Sequence, residues 1–204
     1  ADAARLILHA PAEVQEQLAV QPSTVFWTSL TTKNMQGLRL TSVDSTPLDR
    51  QDSYLTDLVA WSSSGIPQAP RIHRNDLLLR LPFGKKISFE PFDGSQPLRQ
   101  LIQDALHLVG QWKPSLVEEI CQLSPEIQLI TDPSADPDKA VSFSANAVPG
   151  CLYISVRRGN GLLNPYEIAD SIIHEHRHQR LYLFQDQHPI IAIDAPFVTS
   201  PWRA

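Results

Sequence analysis

Cysteines, long apolar runs and positive charge, which would indicate a disulfide-stabilised, a membrane-spanning or a nucleic-acid-binding protein, are all scarce in this sequence. There are only two cysteines among 204 residues, Cys121 and Cys151, and they form neither a CxxC motif nor a Cys/His array. We therefore expect two reduced, buried thiols and no disulfide framework. No apolar run approaches the roughly 18 residues that a membrane-spanning helix needs, and the sequence has no signal peptide. The expectation is a cytoplasmic protein with no membrane partner.

Positive charge is also in short supply. Seventeen Lys and Arg residues stand against 22 Asp and Glu, the net charge is -5, and the basic residues are dispersed. This balance argues against a nucleic-acid partner. Glycine is scarce at 8 residues whereas proline is abundant at 17, which predicts rigid turns and long irregular connections. With 42% hydrophobic and 19% charged residues, the chain can bury an ordinary globular core.

Residues 1–95 contain no pattern that indicates chemistry. Val14, Leu18 and Ala19 are spaced as in a short helix. Residues 37–41 resemble a strand, and residues 51–61 resemble a second short helix. We assign residues 1–95 to an N-terminal part of unknown role and consider it a candidate for peptide binding.

Residues 96–204 form a part in which the patterns are clearer, and we assign the chemistry to it. A helix is predicted near residues 96–112 with Gly110 near its C-cap, and a second helix is predicted to start with Pro114 at its first position. The apolar stripe of the first helix comprises Leu98, Leu101, Ile102, Ala105, Leu106 and Val109. Strands are predicted at residues 126–130, 141–144 and 151–156. This order predicts an α+β fold with a mixed or antiparallel sheet and helices packed on it.

The most informative segment is NPYEIADSIIHEHRHQRLYLF, residues 164–184. Asn164 as N-cap, Pro165 at the first position and Glu167 at the third position predict the start of a helix with a capping box. Its apolar packing is predicted to come from Ile168, Ile172, Ile173 and Leu181. The helix should end near Gln187-His188-Pro189, because a residue before proline avoids the helical region.

Within this helix, His174-Glu175-His176-Arg177-His178 contains an HExxH motif. His174 and His178 lie one turn apart on a single face, so their imidazoles can bind one metal ion. Glu175 lies beside them and can handle a proton of a metal-bound water or of a substrate. The fold prediction therefore includes a zincin-like active-site helix. His176 and Arg177 should face away from the metal and pair with neighbours such as Asp170 or Glu167.

A two-histidine site needs a third ligand, and the usual sources are missing. The metzincin pattern requires glycine and histidine at the positions of Leu181 and Phe184, and no glutamate follows Glu175 to serve as in thermolysin. What remains is Asp186, His188, Asp194 or a residue beyond position 204. Of these we select His188 as the third metal ligand.

The segment IADSIIHEHRHQRLYLF followed by SPWR resembles a family described as HExxH-motif peptide-modification proteins. These proteins are encoded beside ribosomally made, post-translationally modified peptides. The family combines a Leu/Ile-rich helix bearing HExxH with a Pro-Trp-Arg element downstream, and it has a preceding glycine-containing strand to which GCLYISVRRG is similar. The resemblance covers roughly residues 96–204.

The resemblance implies an iron(II) and 2-oxoglutarate-dependent oxygenase that hydroxylates a side-chain carbon of a precursor peptide. It implies His174 and His178 as iron ligands and Glu175 as an acid/base or orienting group. Arg203 would hold a carboxylate of 2-oxoglutarate, because a guanidinium binds a carboxylate through two hydrogen bonds, and Trp202 would form a wall beside it. Family members usually continue well beyond Pro-Trp-Arg, whereas this sequence ends at Ala204.

Two other functions are compatible with the same residues. A zinc metallopeptidase would use Glu175 as the general base for a zinc-bound water. A non-catalytic protein could hold a precursor peptide through a degenerate metal site. The sequence selects neither the metal, the peptide nor an oligomeric state.

Overall fold

The computed structural model describes residues 11–19, 70–72, 77–80, 87–89, 96–131 and 138–188, together with His9, Val25 and Phe83. The predictions made for residues 37–41 and 51–61 lie outside these residues. Among the helices that the structure describes, none combines the length and the apolar composition that a bilayer crossing requires.

A mixed sheet forms the centre of the described part of the chain. Its strands are β1 (Arg71–Ile72), β2 (Ser88–Phe89), β3 (Glu126–Thr131), β4 (Ser142–Ser144) and β5 (Cys151–Ser155). The order is β1-β3-β5-β4, in which β3 is parallel to β1 and β5 and β4 is antiparallel to β5. β2 pairs antiparallel with the far end of β3. The α+β class is confirmed, and of the two predicted sheet types the mixed one is present.

Five helices accompany this sheet in the described residues. They are α1 (Ala12–Ala19), α2 (Leu77–Arg80), α3 (Gln96–Trp112), α4 (Pro114–Leu123) and α5 (Pro165–Gln187). The short helix predicted from Val14, Leu18 and Ala19 corresponds to α1, and α4 begins at Pro114 as predicted.

The apolar stripe predicted for α3 is confirmed, since all six of its residues are buried. The C-cap predicted near Gly110 is wrong, because α3 continues through this residue to Trp112. Glycine lowers helix stability by only about 1 kcal/mol relative to alanine. Burial of Leu106 and Val109 on the preceding turn outweighs that cost.

Apolar residues cover the sheet on both of its faces. On one face α3, α4 and α5 pack over Ile127 and Leu152. On the other face Leu79 of α2 packs with Ile130 and Tyr153. The predicted strand at residues 126–130 is therefore present, but its polar members are as buried as its apolar ones.

Local hydrogen bonds define the start of α5 as the sequence predicts. The Asn164 side chain accepts from the Glu167 backbone N–H, and the Glu167 carboxylate accepts from the Asn164 backbone N–H, which completes the capping box. A small hairpin, β6 (Arg157–Arg158) and β7 (Gly161–Leu162), precedes the helix. Arg158 in this hairpin pairs with the Glu167 carboxylate at 2.6 Å. The backbone N–H of Asn164, and next Arg158, lower the pKa of Glu167.

Of the four apolar residues predicted to pack α5, three do so. Ile168 and Ile172 are buried, and Ile173 is partly buried against the same core. The prediction for Leu181 is wrong, because its side chain is 43% exposed. The helix ends at Gln187 with His188 as its C-cap, as predicted.

Two further predictions concern the cysteines and the division of the chain. Both cysteines are free; Cys151 is buried and Cys121 half-buried, and burial raises the pKa of the Cys121 thiol. The division at residue 95 stays a prediction. Two strands from before that position, β1 and β2, pair with β3 in the same sheet.

Candidate metal centre

His174 and His178 converge on one side of α5. Their Nε2 atoms are 3.1 Å apart and their ring centroids are 4.7 Å apart. The two residues are separated by one helical turn, so the backbone itself brings the rings together. His174 is exposed and His178 is half-buried. The pair therefore lies at the surface, where a ligand can reach both ring nitrogens.

The separation of these nitrogens is compatible with two ligands of one metal ion. Imidazole nitrogens bind first-row metals at about 2.0–2.1 Å. Two such ligands would lie about 3.0 Å apart at a right angle and about 3.4 Å apart in a tetrahedron. The observed 3.1 Å falls between these values. The donor set is two imidazoles, which suits iron, zinc, copper and nickel.

Glu175, which directly follows His174, is held by the edge strand of the described sheet. Its side chain is only 3% exposed, and its Oε1 accepts a hydrogen bond of 2.8 Å from Ser142 Oγ on β4. A buried carboxylate needs such a partner, since burial without one is costly. The β4 strand thus fixes the orientation of Glu175 relative to the histidines.

Tyr182 extends the histidine side of α5 by one more turn. Its ring stacks on His178 with the centroids 6.2 Å apart, and its hydroxyl donates to the Ser144 carbonyl at 3.5 Å. Ser144 also carries a buried hydroxyl without a hydrogen-bond partner in the described part of the chain. Tyr182 and β4 therefore form one wall beside His178.

His176 points away from the pair, as predicted, but into the core rather than toward solvent. It is fully buried; its Nδ1 lies 2.9 Å from Ser124 Oγ and its Nε2 lies 3.3 Å from Glu119 Oε1. The predicted partners, Asp170 and Glu167, are wrong. Burial lowers the pKa of His176, and the Glu119 carboxylate opposes that effect only in part.

The reason for this correction is the helical period. Position 176 continues the buried stripe that begins at Ile168 and Ile172, so its side chain faces α4. There Glu119 also pairs with Arg180 at 2.8 Å. Asp170 and Glu167 precede His176 by six and nine residues, and neither spacing along α5 brings them to this face.

His188, the predicted third ligand, does not lie beside the histidine pair in the described structure. His188 lies at the end of α5 with its ring 5.0 Å from that of Phe184. Ten residues separate His188 from His178, which is about 15 Å along a helix. In the described ranges no three His, Cys, Asp or Glu residues form a group that could hold a metal ion.

The remaining candidates for the site lie outside what the structure describes. Asp194, Trp202 and Arg203 belong to that part of the chain, so their roles stay predictions. Asp186 lies within α5, but its side chain is also outside the described structure. The assignment of His188 as a ligand likewise remains untested.

Comparisons with known proteins add no relative to this description. A scan against models of protein families gives no match, and neither does a search of curated proteins.

Sequence reasoning missed three residues that shape the site: Ser142, Gln179 and Tyr182. Tyr182 could have been found, since it lies four residues after His178 and continues the same helical face. Gln179 could also have been found, since it continues the spacing of the buried residues Ile168 and Ile172. Ser142 had no detectable signal, because its contact with Glu175 joins segments 33 residues apart.

Proposed function

We propose that this chain is a metal-dependent enzyme that modifies a peptide, with a zincin-like helix, α5, as its active-site element. The favoured reaction is iron(II) and 2-oxoglutarate-dependent hydroxylation of a side-chain carbon in a ribosomally made precursor peptide. The observation that supports it most is the 3.1 Å separation of His174 Nε2 and His178 Nε2 at the surface of the helix that also carries the buried Glu175.

Each residue of the site has a distinct part in this proposal. His174 and His178 would hold the metal through their Nε2 atoms. Molecular oxygen would be the oxidant: with iron(II) bound, one oxygen atom would convert a C–H bond into an alcohol and the other would enter succinate as 2-oxoglutarate is oxidised and loses CO2. Glu175 would orient the site through its charge, and Arg203 would bind a carboxylate of 2-oxoglutarate. Tyr182 and β4 would limit the access of water and substrate on one side.

The environment of Glu175 favours this reaction over peptide hydrolysis. A general base for a metal-bound water needs an open carboxylate within hydrogen-bond reach of that water. In this chain one carboxylate oxygen accepts a hydrogen bond from Ser142, and the side chain is almost fully buried. These contacts suit an orienting group better than a base that exchanges protons in every turnover.

Metal binding is the first test. Anaerobic titration with Fe(II), and with Co(II) as a spectroscopic probe, should give one ion per chain. His174→Ala and His178→Ala should each weaken binding by at least tenfold. The matched control is His107→Ala, because His107 is an exposed histidine on α3 and far along the chain from the motif. Equal binding by all three variants would refute the metal centre.

Turnover separates the possible functions. With Fe(II), 2-oxoglutarate, oxygen and precursor peptide, the expected result is succinate together with a peptide heavier by one oxygen atom. Cleaved peptide with zinc would support a metallopeptidase instead. Peptide binding that survives His174→Ala, with no product under either condition, would support a binding protein. Confirmed iron loading without succinate would refute the oxygenase.

A further inference from the structure

The buried side of α5 carries polar residues on the same turns that carry His174 and His178 on the outer side. Glu175, His176 and Gln179 are all buried, and each contacts a different part of the fold. Glu175 accepts from β4, and His176 contacts Ser124 after α4. Gln179 differs from both, because in the described part of the chain its side-chain amide hydrogen-bonds to backbone groups at the start of β5.

Gln179 uses both ends of its amide. Its Oε1 accepts from the backbone N–H of Gly150 at 2.9 Å, and its Nε2 donates to the carbonyl of Cys151 at 3.1 Å. Gly150 has a φ of 81°, a conformation that glycine adopts without strain. The Gly150 carbonyl in turn accepts from the N–H of Glu126 on β3. One side chain thus connects α5 to the point where two central strands meet.

These two hydrogen bonds fix the position of α5 along and around its axis, which apolar packing alone does not. Apolar contacts are not directional, so a helix on a sheet can slide or rotate slightly with little loss. Two hydrogen bonds of good length to a rigid backbone do not tolerate that movement. Since Gln179 directly follows His178, the part of α5 that it fixes is the turn that carries the second histidine.

The effect must concern the surroundings of the pair rather than the pair itself. His174 and His178 share one helix, so their separation does not depend on where that helix lies. Their position relative to β4, and to any ligand that another segment supplies, does depend on it. The same displacement would also alter the 2.8 Å contact between Ser142 and Glu175.

We infer that Gln179 is a positioning residue, which holds the histidine pair in register with β4, the strand that also holds Glu175. This inference rests on the proposed function, because it requires that the pair binds a metal. Gln179 itself touches neither metal nor substrate. Removing a group that hydrogen-bonds a metal ligand typically weakens metal binding by about 10–100-fold; Gln179 acts through the position of the helix instead, so we expect a loss at the lower end of this range.

The test compares Gln179→Met with wild type in the full chain. Methionine matches the length and shape of glutamine but cannot make either hydrogen bond. Co(II) affinity should fall by about tenfold or more, and the visible Co(II) absorption spectrum should change because the coordination geometry changes. Gln179→Asn is one methylene shorter and should change the Co(II) affinity and the Co(II) spectrum in the same direction. It replaces Gln179→Met in this test if Gln179→Met does not fold.

Two control variants separate positioning from general stability. Gln103→Leu removes an exposed glutamine from α3 and should change nothing. Val109→Ala removes buried apolar volume from the core and should lower the unfolding midpoint without altering the Co(II) spectrum. If Val109→Ala changes the spectrum as much as Gln179→Met, the role of Gln179 is only structural and the inference is overturned.

The remaining outcomes distinguish this inference from the proposed function. If wild type binds Co(II) through His174 and His178 while Gln179→Met keeps the same affinity and spectrum, only the inference fails. If wild type itself binds no Co(II), the proposed function fails and the inference fails with it. If Gln179→Met binds Co(II) more weakly and with an altered spectrum, while both control variants keep the wild-type affinity and spectrum, the inference and the proposed function are both supported.

Discussion

The contact between His176 and Ser124 gives a prediction whose size can be worked from the structure. Both residues are fully buried, and Ser124 Oγ lies 2.9 Å from His176 Nδ1. In His176→Leu the serine hydroxyl loses this partner and stays buried, which costs about 1–3 kcal/mol. The loss of the Glu119 contact adds little, since Glu119 is partly exposed and keeps its ion pair with Arg180.

The complementary variant should have a cost of the same kind. Ser124→Ala leaves His176 Nδ1 buried without a partner, again at about 1–3 kcal/mol. The double variant contains neither of the two unpaired groups. Its loss of stability should therefore be smaller than the sum of the single losses, by about 1 kcal/mol or more.

Urea unfolding followed by circular dichroism measures the three free energies of unfolding. A control cycle combines His176→Leu with Tyr153→Phe, which removes the hydrogen bond from Tyr153 to the Leu79 carbonyl on the opposite face of the sheet. That pair should be additive within about 0.5 kcal/mol. Additivity in the Ser124 cycle as well would refute the buried hydrogen bond and the direction assigned to His176.

Three further predictions concern α5. Asn164→Ala removes the N-cap and should destabilise the protein by about 1 kcal/mol in urea unfolding; an unchanged midpoint would contradict the capping box. Glu167 has a lowered pKa, so its contribution is present above its ordinary pKa of 4.5 and is lost as the pH falls through the folded value. Glu167→Gln should therefore make the free energy of unfolding depend less on pH in that acid range. A pH dependence equal to that of the wild type would contradict this prediction. Ile172 is fully buried, so Ile172→Ala should lower the free energy of unfolding by about 2–5 kcal/mol in thermal unfolding. Ile173 is only partly buried, so Ile173→Ala should lower it by less. If Ile173→Ala were the more damaging of the two, α5 would be rotated relative to this structure.

Elements with local signals were predictable from the sequence. The stripe of α3, Pro114 at the start of α4 and the capping box of α5 depend on residues within a few positions of one another. The two-residue strands β1 and β2 carry no such signal, because pairing with β3 defines them. The direction in which distant strands pair is not encoded locally either, so the sequence left the mixed and the antiparallel sheet as alternatives.

Burial of polar residues was harder to predict than the elements that carry them. The alternation of residues 126–130 resembles a strand with one wet face, yet Glu126 and Gln128 are both buried. Their burial depends on the second apolar layer around Leu79 and Tyr153, which the strand's own sequence does not encode. Gln128 donates to Glu126 at 2.9 Å, so the polar groups of this strand partner each other.

The candidate site shows the same division between local and distant information. The histidine pair follows from a four-residue spacing on a helix with strong start signals. The partners of Glu175 and His176 come from β4 and α4, and no spacing within the motif encodes them. A motif can therefore predict the residues that face a ligand while leaving open the residues that hold them.

The polar residues of α5 also settle which side of the helix is buried. Ile168 and Ile172 favour one face, whereas Ile173, Leu181 and Phe184 lie about a quarter to half a turn away and would favour another at about 100° per residue. Apolar pattern alone therefore supports two rotations of the helix. In the first rotation the buried polar residues make hydrogen bonds to β4, β5 and the end of α4.

In the second rotation those polar groups would leave their partners, and His174 would turn toward the core. An unpartnered buried polar group costs about 1–3 kcal/mol, comparable to the gain from burying one large apolar side chain. The hydrogen bonds of Glu175, His176 and Gln179 act together, so they outweigh the exposure of Leu181 and Phe184. The outward direction of His174 is thus a consequence of the polar residues that follow it on α5.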